Sequence, residues 1–302
     1  MEIDLYLAGT NISIIFLGKA EKAVPLFNLF FRDFLSPERT MDGEIEVSVL
    51  NMPEGMGFTP DPATGEPIME RLVPTRDVAA LLKQVPDYRW DFPINEATVT
   101  SFCMDGLLLF DPDSKTGRIF LLNKGPGVFK PLFRLFWIYF AQVLGEEGGC
   151  FLHGAALAKE EKGYIFMGES GAGKSTLASL SRNCHVLSDD SPVFRLQGGE
   201  YCAFSSPFHQ LGPLDRPGLI TTGTRVRGLY FLVKDQEVFL DQVSRKQAFS
   251  MIITRHIHFF SYLSARARKG LFDLLFDACD SLLLYNLHFR RDQDVLPFVA
   301  NS

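Results

Sequence analysis

The sequence predicts a mixed α/β fold in which a small β-rich N-terminal region precedes a larger domain built on a phosphate-binding loop. Three observations support this class. Residues 168–176 fit the pattern G-x-x-x-x-G-K-[ST]. A run of β-forming residues precedes them, and an apolar helical repeat follows. In residues 1–124, short apolar runs alternate with turn residues, as in small sheets.

The N-terminal region begins with two predicted strands, residues 2–7 and 12–17, separated by a hairpin turn at 8–10. Residues 26–35 are very apolar, and their periodicity does not decide between a helix and a packed strand. Residues 44–50 alternate between polar and apolar types, which is typical of a half-buried strand. The start of the chain is therefore β-rich.

Prolines and glycines crowd residues 51–75, so we predict a long loop without regular structure there. Three further strands are predicted at residues 97–102, 107–110 and 118–122. The turn residues between them favour a small antiparallel sheet.

A Gly-Pro-Gly turn at residues 125–127 marks the predicted domain boundary, which divides the chain into residues 1–124 and 125–302. The apolar stretch that follows, residues 129–144, is interrupted by two basic residues and is too short to cross a bilayer. We therefore predict a buried or half-buried helix and no membrane partner.

Composition and charge indicate a globular protein. The 302 residues are 46% hydrophobic, which is enough for a buried core. The net charge of −6 argues against general nucleic-acid binding, which needs a basic face. The acidic first residues do not form a secretory signal, so a cytoplasmic location is expected. Five scattered cysteines without a C-x-x-C pair are predicted to be reduced thiols.

After the helix at 129–144, the second domain is predicted to continue with two strands, residues 150–158 and 163–167, and the phosphate-binding loop follows them. Small residues let backbone N–H groups face a phosphate, and the next helix directs its positive end to the same anion. Lys174 is placed to reach the β- and γ-phosphates, and the Ser175 hydroxyl to bind Mg²⁺. The loop residues are Gly168, Glu169, Ser170, Gly171, Ala172, Gly173, Lys174, Ser175 and Thr176.

Two carboxylates end the next predicted strand, residues 185–190. The order strand, loop, helix, strand brings that end to the sheet edge that carries the loop, so Asp189 and Asp190 should face the bound phosphates. One can hold Mg²⁺, and the other can accept a proton from an attacking hydroxyl. Neighbours on a strand point to opposite faces, so they cannot share one task unless the strand has ended by Asp189. The alternative is a solvated acidic turn.

Other side chains are candidates for the same site. His153 alone is more often a hydrogen-bonded core residue, but pairing of its strand with residues 163–167 would bring the imidazole near the loop. Asp235 is an alternative metal ligand, although its neighbours favour a hairpin tip. Spacing does not choose the arginine that would stabilise transition-state charge, and the candidates are Arg225, Arg227, Arg255, Arg266 and Arg268.

The remaining elements are less informative about function. Strands at residues 228–233 and 237–240 are predicted to form a hairpin around 234–236. Further elements are expected as helices at 246–253 and 264–278, a strand at 281–287 and a last helical turn at 295–298.

Three motifs occur in a fixed order: His153, Gly154, Ala155, Ala156 and Leu157; then the loop at 168–176; then Leu187, Ser188, Asp189 and Asp190. Their residues and spacing resemble the HPr kinase/phosphorylase superfamily, closely over residues 150–191 and loosely over 129–287. The resemblance implies a P-loop kinase core like that of phosphoenolpyruvate carboxykinase, on a mixed sheet, with ATP and Mg²⁺ as cofactors. It also implies a homo-oligomer, which no feature of the sequence specifies.

The resemblance implies a role for each residue. Asp189 would be the general base that takes the proton of an acceptor serine, Asp190 would position metal and phosphate, and His153 would lie beside them, with Lys174 also catalytic. Founding members carry a metal-binding glutamate two residues before an Arg-Gly-Leu, and here that position is Arg225. Residues 1–124 resemble the small β-rich region of HPr-kinase-related proteins encoded with peptide-modifying enzymes.

The sequence therefore predicts an ATP-dependent kinase that phosphorylates a serine hydroxyl of a peptide or small protein. The alternative is a catalytically impaired ATP-binding module of the same fold, with a regulatory or peptide-binding role, which Arg225 favours. A transport or mechanical ATPase would need a Leu-Ser-Gly-Gly signature and an apolar strand ending in Asp-Glu, and the sequence has neither.

Overall fold

The computed structural model describes residues 1–36, 42–50, 71–72, 97–103, 106–122, 129–208, 223–290 and 292–301. The chain is mixed α/β and forms two compact units. Unit 1 comprises Met1–Val143 and Ser261–Ala265, and unit 2 comprises Leu144–Phe260 and Arg266–Ser302. The predicted boundary at 125–127 lies outside the described residues.

Unit 1 contains seven strands: β1 Glu2–Leu7, β2 Thr10–Phe16, β3 Gly43–Leu50, β4 Arg71–Leu72, β5 Val99–Cys103, β6 Gly106–Asp111 and β7 Thr116–Leu122. They form one sheet in the order β1-β2-β3-β7-β6-β5-β4. The predicted hairpin of β1 and β2 is confirmed, and β3 lies parallel to both of its neighbours. The antiparallel strands β5, β6 and β7 are therefore part of a larger mixed sheet.

The prediction of no regular structure over residues 51–75 is wrong at one point, because β4 pairs antiparallel with β5. Neither residue of β4 is a proline, so both N–H groups can join a ladder. The rest of the predicted loop lies outside the described residues.

Two helices contribute aromatic rings to the core of unit 1. They are α1 (Val24–Phe31), which continues into a 3-10 turn at Arg32–Phe34, and α2 (Phe129–Glu146), which begins in this unit. Phe27 stacks on Phe31 at 4.2 Å between ring centroids, and Phe136 of α2 lies edge-on to both rings. The apolar run at 26–35 is thus mainly helical. The sequence assigned 129–143 to the second domain, whereas this packing joins them to unit 1.

A tyrosine on α2 explains one glycine of the sheet. The Tyr139 hydroxyl donates to the carbonyl oxygen of Lys115 at 2.9 Å. A Cβ at Gly117 would lie 2.7 Å from the Tyr139 ring. Glycine at this position of β7 therefore allows the ring to lie against the strand.

Unit 2 contains nine strands: β8 Gly149–Phe151, β9 Gly154–Lys159, β10 Lys162–Met167, β11 His185–Ser188, β12 Val193–Gln197, β13 Glu200–Phe204, β14 Thr224–Lys234, β15 Phe239–Gln242 and β16 Leu283–Phe289. Their order is β11-β9-β10-β14-β13-β12-β8, and β16 pairs with both β14 and β15. The pairs β10/β14 and β14/β16 are parallel, and the other pairs are antiparallel.

Two predictions about these strands are corrected. The single strand at 150–158 is divided into β8 and β9, because β8 pairs with β12 whereas β9 pairs with β10 and β11. The predicted hairpin between 228–233 and 237–240 is wrong, because β16 lies between β14 and β15 and pairs with each. Sequence proximity suggested a hairpin, but the later strand fills the position between them.

Four helices complete the description of the second half of the chain: α3 Lys174–Leu180, α4 Arg245–Arg255, α5 Ala265–Ser281 and α6 Leu296–Asn301. Ser244 and Gln247 form a capping box at the start of α4. Leu177 and Ala178 of α3 are buried in an apolar cluster with residues of β9, β10, β14, β16 and α6. No helix among the described residues is long and apolar enough to cross a membrane.

Candidate functional site

The phosphate-binding pattern forms a loop between β10, which ends at Met167, and α3, which begins at Lys174. Gly171 and Gly173 have positive φ angles of 77° and 110°, which residues with a side chain rarely adopt. Gly168 is confined by packing, since a Cβ there would lie 2.7 Å from the Cβ of Ala172. These three positions therefore need glycine to give the loop its path.

Lys174 is buried and lies over the loop. Its Nζ donates to the carbonyl oxygens of Gly168 at 2.8 Å and Glu169 at 3.3 Å. These bonds use two of the three ammonium protons. Burial lowers the pKa of Lys174, and the charge of Asp190 opposes that effect.

A cavity of about 200 Å³ lies beside the loop. From the loop, it is lined by Ser170, Gly171, Gly173, Lys174, Ser175 and Thr176. From other elements of unit 2, it is lined by His153 and Asp190. The structure thus brings eight of the predicted residues together. Among the described residues, those that line the cavity do not include four predicted site residues: Gly168, Glu169, Ala172 and Asp189.

The paired carboxylates differ in their surroundings. Strand β11 ends at Ser188, so the strand has ended by Asp189, which is the condition under which the two acids could share one task. Ser188 Oγ accepts from the N–H groups of Asp190 at 3.4 Å and Ser191 at 2.9 Å, which shapes the turn. The side chain of Asp189 is fully buried, at 0% exposure, whereas Asp190 lines the cavity. Asp190 is therefore the acid on the cavity side.

The bend between β8 and β9 holds Asp190 through the backbone. The N–H of Leu152 donates to the carbonyl oxygen of Pro192 at 3.0 Å. The N–H of Gly154 donates to the carbonyl oxygen of Asp190 at 2.9 Å. His153 lies between these two bonds, opposite Ser191.

The other edge of the same bend holds the chain that leaves α4. The N–H of His153 donates to the carbonyl oxygen of His256 at 2.9 Å, and the N–H of His258 to that of Phe151 at 3.1 Å. Between these two hydrogen bonds, Leu152 and Ile257 form an isolated antiparallel β-bridge. Because side chains alternate along an extended chain, His256 and His258 share a face with His153. The ring centroids of His153 and His258 are 5.2 Å apart.

His153 lies between a cation and an anion. Its Nε2 is 3.6 Å from Asp190 Oδ1. Burial, followed by the charge of Lys174, lowers the pKa of His153, and Asp190 has the opposite effect. The neutral imidazole is therefore favoured at neutral pH.

His256 is more completely buried, at 4% exposure. Burial, with the charges of His153, Lys174 and Arg255, lowers the pKa of His256 to about 4. Its Nδ1 is buried without a hydrogen-bond partner among the described residues. His256 is thus a neutral side chain near the cationic side of the site.

Sequence reasoning missed Ser191, His256 and His258. The alternation His256, Ile257, His258 directly after a predicted helix was an available signal, because it is typical of an extended segment with both histidines on one face. Only the pairing with Phe151 and His153 shows that this face lies beside His153, which lines the cavity. No local pattern contains that information.

The structure also distinguishes some of the candidate arginines. Arg255, at the end of α4, pairs with Glu169 of the loop at 2.9 Å. Arg225 pairs with Glu200 at 2.8 Å on the surface, and Arg266 pairs with Glu146. Of these three arginines, Arg255 is therefore the one that pairs with the loop.

Magnesium is the metal that the donor set fits. Ser175 and Asp190 line the same cavity and offer oxygen atoms, which Mg²⁺ prefers. The described residues contain no group of three or more His, Cys, Asp or Glu that could hold a metal. Mg²⁺ in nucleotide sites commonly uses one or two protein ligands with phosphate oxygens, so this set is sufficient. Asp235 instead pairs with His288 at 2.9 Å at the surface.

Comparisons with known proteins leave the site to be interpreted from its geometry. A scan against models of protein families and a search of the curated proteins find no match for this sequence. The roles of the residues therefore depend on the positions of Lys174, Asp190 and His153 around one cavity.

Proposed function

We propose that unit 2 is an ATP-dependent kinase domain that transfers the γ-phosphate to a hydroxyl group, with a serine of a peptide or small protein as acceptor. The observation that carries this proposal is the convergence of Lys174, Asp190 and His153 on the cavity beside the loop. A cation suits the donor phosphates, and a carboxylate suits an attacking hydroxyl.

The donor would lie along the loop. Backbone N–H groups around Gly171 and Gly173 can bind phosphate oxygens, and Lys174 Nζ can exchange a loop carbonyl for a phosphate oxygen. Ser175 would hold Mg²⁺ together with phosphate oxygens, and the ion would supply charge neutralisation for the phosphates when bound. A phosphate ligand would explain why Lys174 is buried although, among the described residues, no carboxylate forms a salt bridge with it.

The acceptor would approach Asp190. Its hydroxyl oxygen attacks the γ-phosphorus, the bond from that phosphorus to the β–γ bridging oxygen breaks, and the hydroxyl proton passes to the carboxylate. We assign this role to Asp190 instead of Asp189, because Asp189 is fully buried. Neutral His153, 3.6 Å from Asp190 Oδ1, can share the proton through its ring nitrogen.

Arg225 does not argue against this chemistry. In the parallel pair β10/β14, Arg225 lies opposite Lys162 and Phe231 lies opposite Met167, where the loop begins. The two positions are six residues apart along β14, which is roughly 20 Å. The charge at position 225 is therefore remote from the cavity.

Nucleotide binding and transfer can be tested together with γ-labelled ATP, Mg²⁺ and a library of serine peptides. We expect transfer by the wild type and loss of it in Lys174→Ala, with nucleotide affinity reduced roughly 10- to 100-fold because a charge-assisted contact is removed. Lys162→Ala, at the exposed start of the same strand, is the matched control.

Two outcomes would contradict the proposal. ATP that binds the wild type without phosphate reaching any peptide or water would indicate a binding module. Equal ATP affinity in wild type and Lys174→Ala, measured by titration calorimetry, would remove the loop as the donor site.

A further inference from the structure

We propose that Ser191 and His258 are positioning residues that hold the Asp190 carboxylate in one orientation through a chain of hydrogen bonds. The kinetic consequence of this inference rests on the proposed phosphoryl transfer. The hydrogen-bond chain itself does not, and it can be tested separately. Neither residue belongs to the motifs on which the function was inferred.

The chain begins at the carboxylate. Ser191 Oγ donates to Asp190 Oδ2 at 3.0 Å, and the same Oγ lies 3.1 Å from His258 Nε2. Ser191 is fully buried, at 0% exposure. These three side chains therefore form a connected row that leads away from the cavity.

The direction of the chain follows from the number of protons. An ionised carboxylate only accepts hydrogen bonds, so the single hydroxyl proton of Ser191 must point to Asp190. The oxygen of Ser191 is then an acceptor towards His258. The imidazole must consequently carry a proton on Nε2, and the order of donation is His258 to Ser191 to Asp190.

This order fixes the two oxygens of Asp190 for different tasks. Oδ2 is occupied by Ser191, while Oδ1 faces His153 at 3.6 Å on the cavity side. Hydrogen bonds from neighbours restrict rotation of a reacting side chain, and small errors of orientation cost a large part of the rate. Ser191 and His258 thus act on catalysis through Asp190.

The backbone supports the same arrangement. The bend at residues 152–154 pairs on one edge with Asp190 and Pro192, and on the other with His256 and His258. Both ends of the hydrogen-bond chain, Asp190 and His258, are therefore fixed through the backbone to one short segment. That segment also carries His153, so a single bend sets the backbone positions of His153, Asp190 and His258.

The chain can be tested without any acceptor by nitrogen-15 NMR of the histidine side chains at neutral pH. We expect His258 to carry its proton on Nε2 in the wild type and its Nε2 resonance to move in Ser191→Ala. A His258 protonated only on Nδ1, or unaffected by Ser191→Ala, would overturn the inference.

The positioning role is tested by kinetics of four variants. Ser191→Ala and His258→Leu should lower kcat roughly 10- to 100-fold with ATP affinity within twofold of wild type, because a bond to a charged group is lost. His258→Gln, whose amide nitrogen can donate, should restore most of kcat. His185→Leu, on the exposed start of β11, is the control substitution.

The outcomes separate this inference from the proposed function. Unchanged kcat in folded Ser191→Ala and His258→Leu, in an enzyme that transfers phosphate, would overturn the inference alone. If the wild type transfers no phosphate while His258 carries its proton on Nε2 and responds to Ser191→Ala, the proposed function fails and the hydrogen-bond chain stands. Should Ser191→Ala not fold, the pair His258→Leu and His258→Gln decides the kinetic question.

Discussion

Asp111 of unit 1 and Asp190 of unit 2 are both buried, and they are used differently. In unit 1, the Asp111 carboxylate accepts hydrogen bonds from the hydroxyl of Ser114 at 2.6 Å and from the N–H of Asp113 at 3.2 Å, both within one turn. In unit 2, Asp190 has one oxygen bonded to Ser191 and the other directed at His153 beside a cavity. Burial of an acid therefore does not identify a site. What distinguishes Asp190 from Asp111 is that its second carboxylate oxygen is directed at His153 beside a cavity.

The surroundings of the two acids differ in the same way. Unit 1 buries aromatic rings such as Phe27, Phe31 and Phe136, and Asp111 lies at the end of a strand. In unit 2, Lys174, Asp190 and His256 are buried close to one another. Burying several ionisable groups together is costly for stability, and such clusters are common at functional sites.

The largest expected effect separates Asp190 from its neighbour Asp189. Asp190→Asn should lower kcat for phosphoryl transfer by roughly 10²- to 10⁴-fold, because the group that accepts the proton is lost. Asp189→Asn should instead lower the unfolding free energy, because it changes the chemistry of a side chain at a fully buried position. Transfer kinetics and denaturant unfolding of both variants measure this. A larger loss of kcat in Asp189→Asn would reverse our assignment.

A smaller effect is expected at the loop. Gly168→Ala would bring a Cβ to 2.7 Å from that of Ala172. The loop must then shift, and we expect ATP affinity to fall about tenfold, or about 1.4 kcal/mol. Adding Ala172→Gly removes the opposing Cβ and should restore most of the affinity. Failure of the double variant to recover would mean that the path of the loop is not limited by this contact.

The buried histidine predicts a pH effect on stability. The pKa of His256 is about 4 in the folded chain and about 6.5 in the unfolded chain. The unfolded state therefore binds more protons between these values, and stability is lost as pH falls from about 6.5 towards 4. Between pH 7 and pH 5, the wild type should lose about 2 kcal/mol more than His256→Gln. Denaturant titrations at both pH values test this, with exposed His185→Gln as the control.

The smallest effect is expected in unit 1. Asp111→Ala removes the acceptor of the turn and should lower the unfolding free energy by about 1 kcal/mol. ATP affinity and kcat should stay at wild-type values, because the hydrogen bonds that Asp111 accepts among the described residues come from its own turn. Loss of ATP binding in a folded Asp111→Ala protein would contradict the contrast between the two acids.

Local patterns predicted much of the fold. The hairpin of β1 and β2 and the loop between β10 and α3 depend on residues close in sequence. The strand predicted at 185–190 is also present, although it ends at Ser188. Predictions failed where distant strands compete for the same neighbour. The pairing of β16 with both β14 and β15 replaced a hairpin that sequence proximity favoured.

The sequence by itself determined the position of the loop between β10 and α3, because glycines, Lys174 and Ser175 at fixed spacing form a pattern that is typical of phosphate-binding loops. It also named both acids and His153. Only the tertiary structure decided which acid faces the cavity, and only it joined Ser191 and His258 to Asp190. The reason is that these relations are made by hydrogen bonds between segments as far apart as residues 153 and 256, and such pairings leave no trace in local sequence.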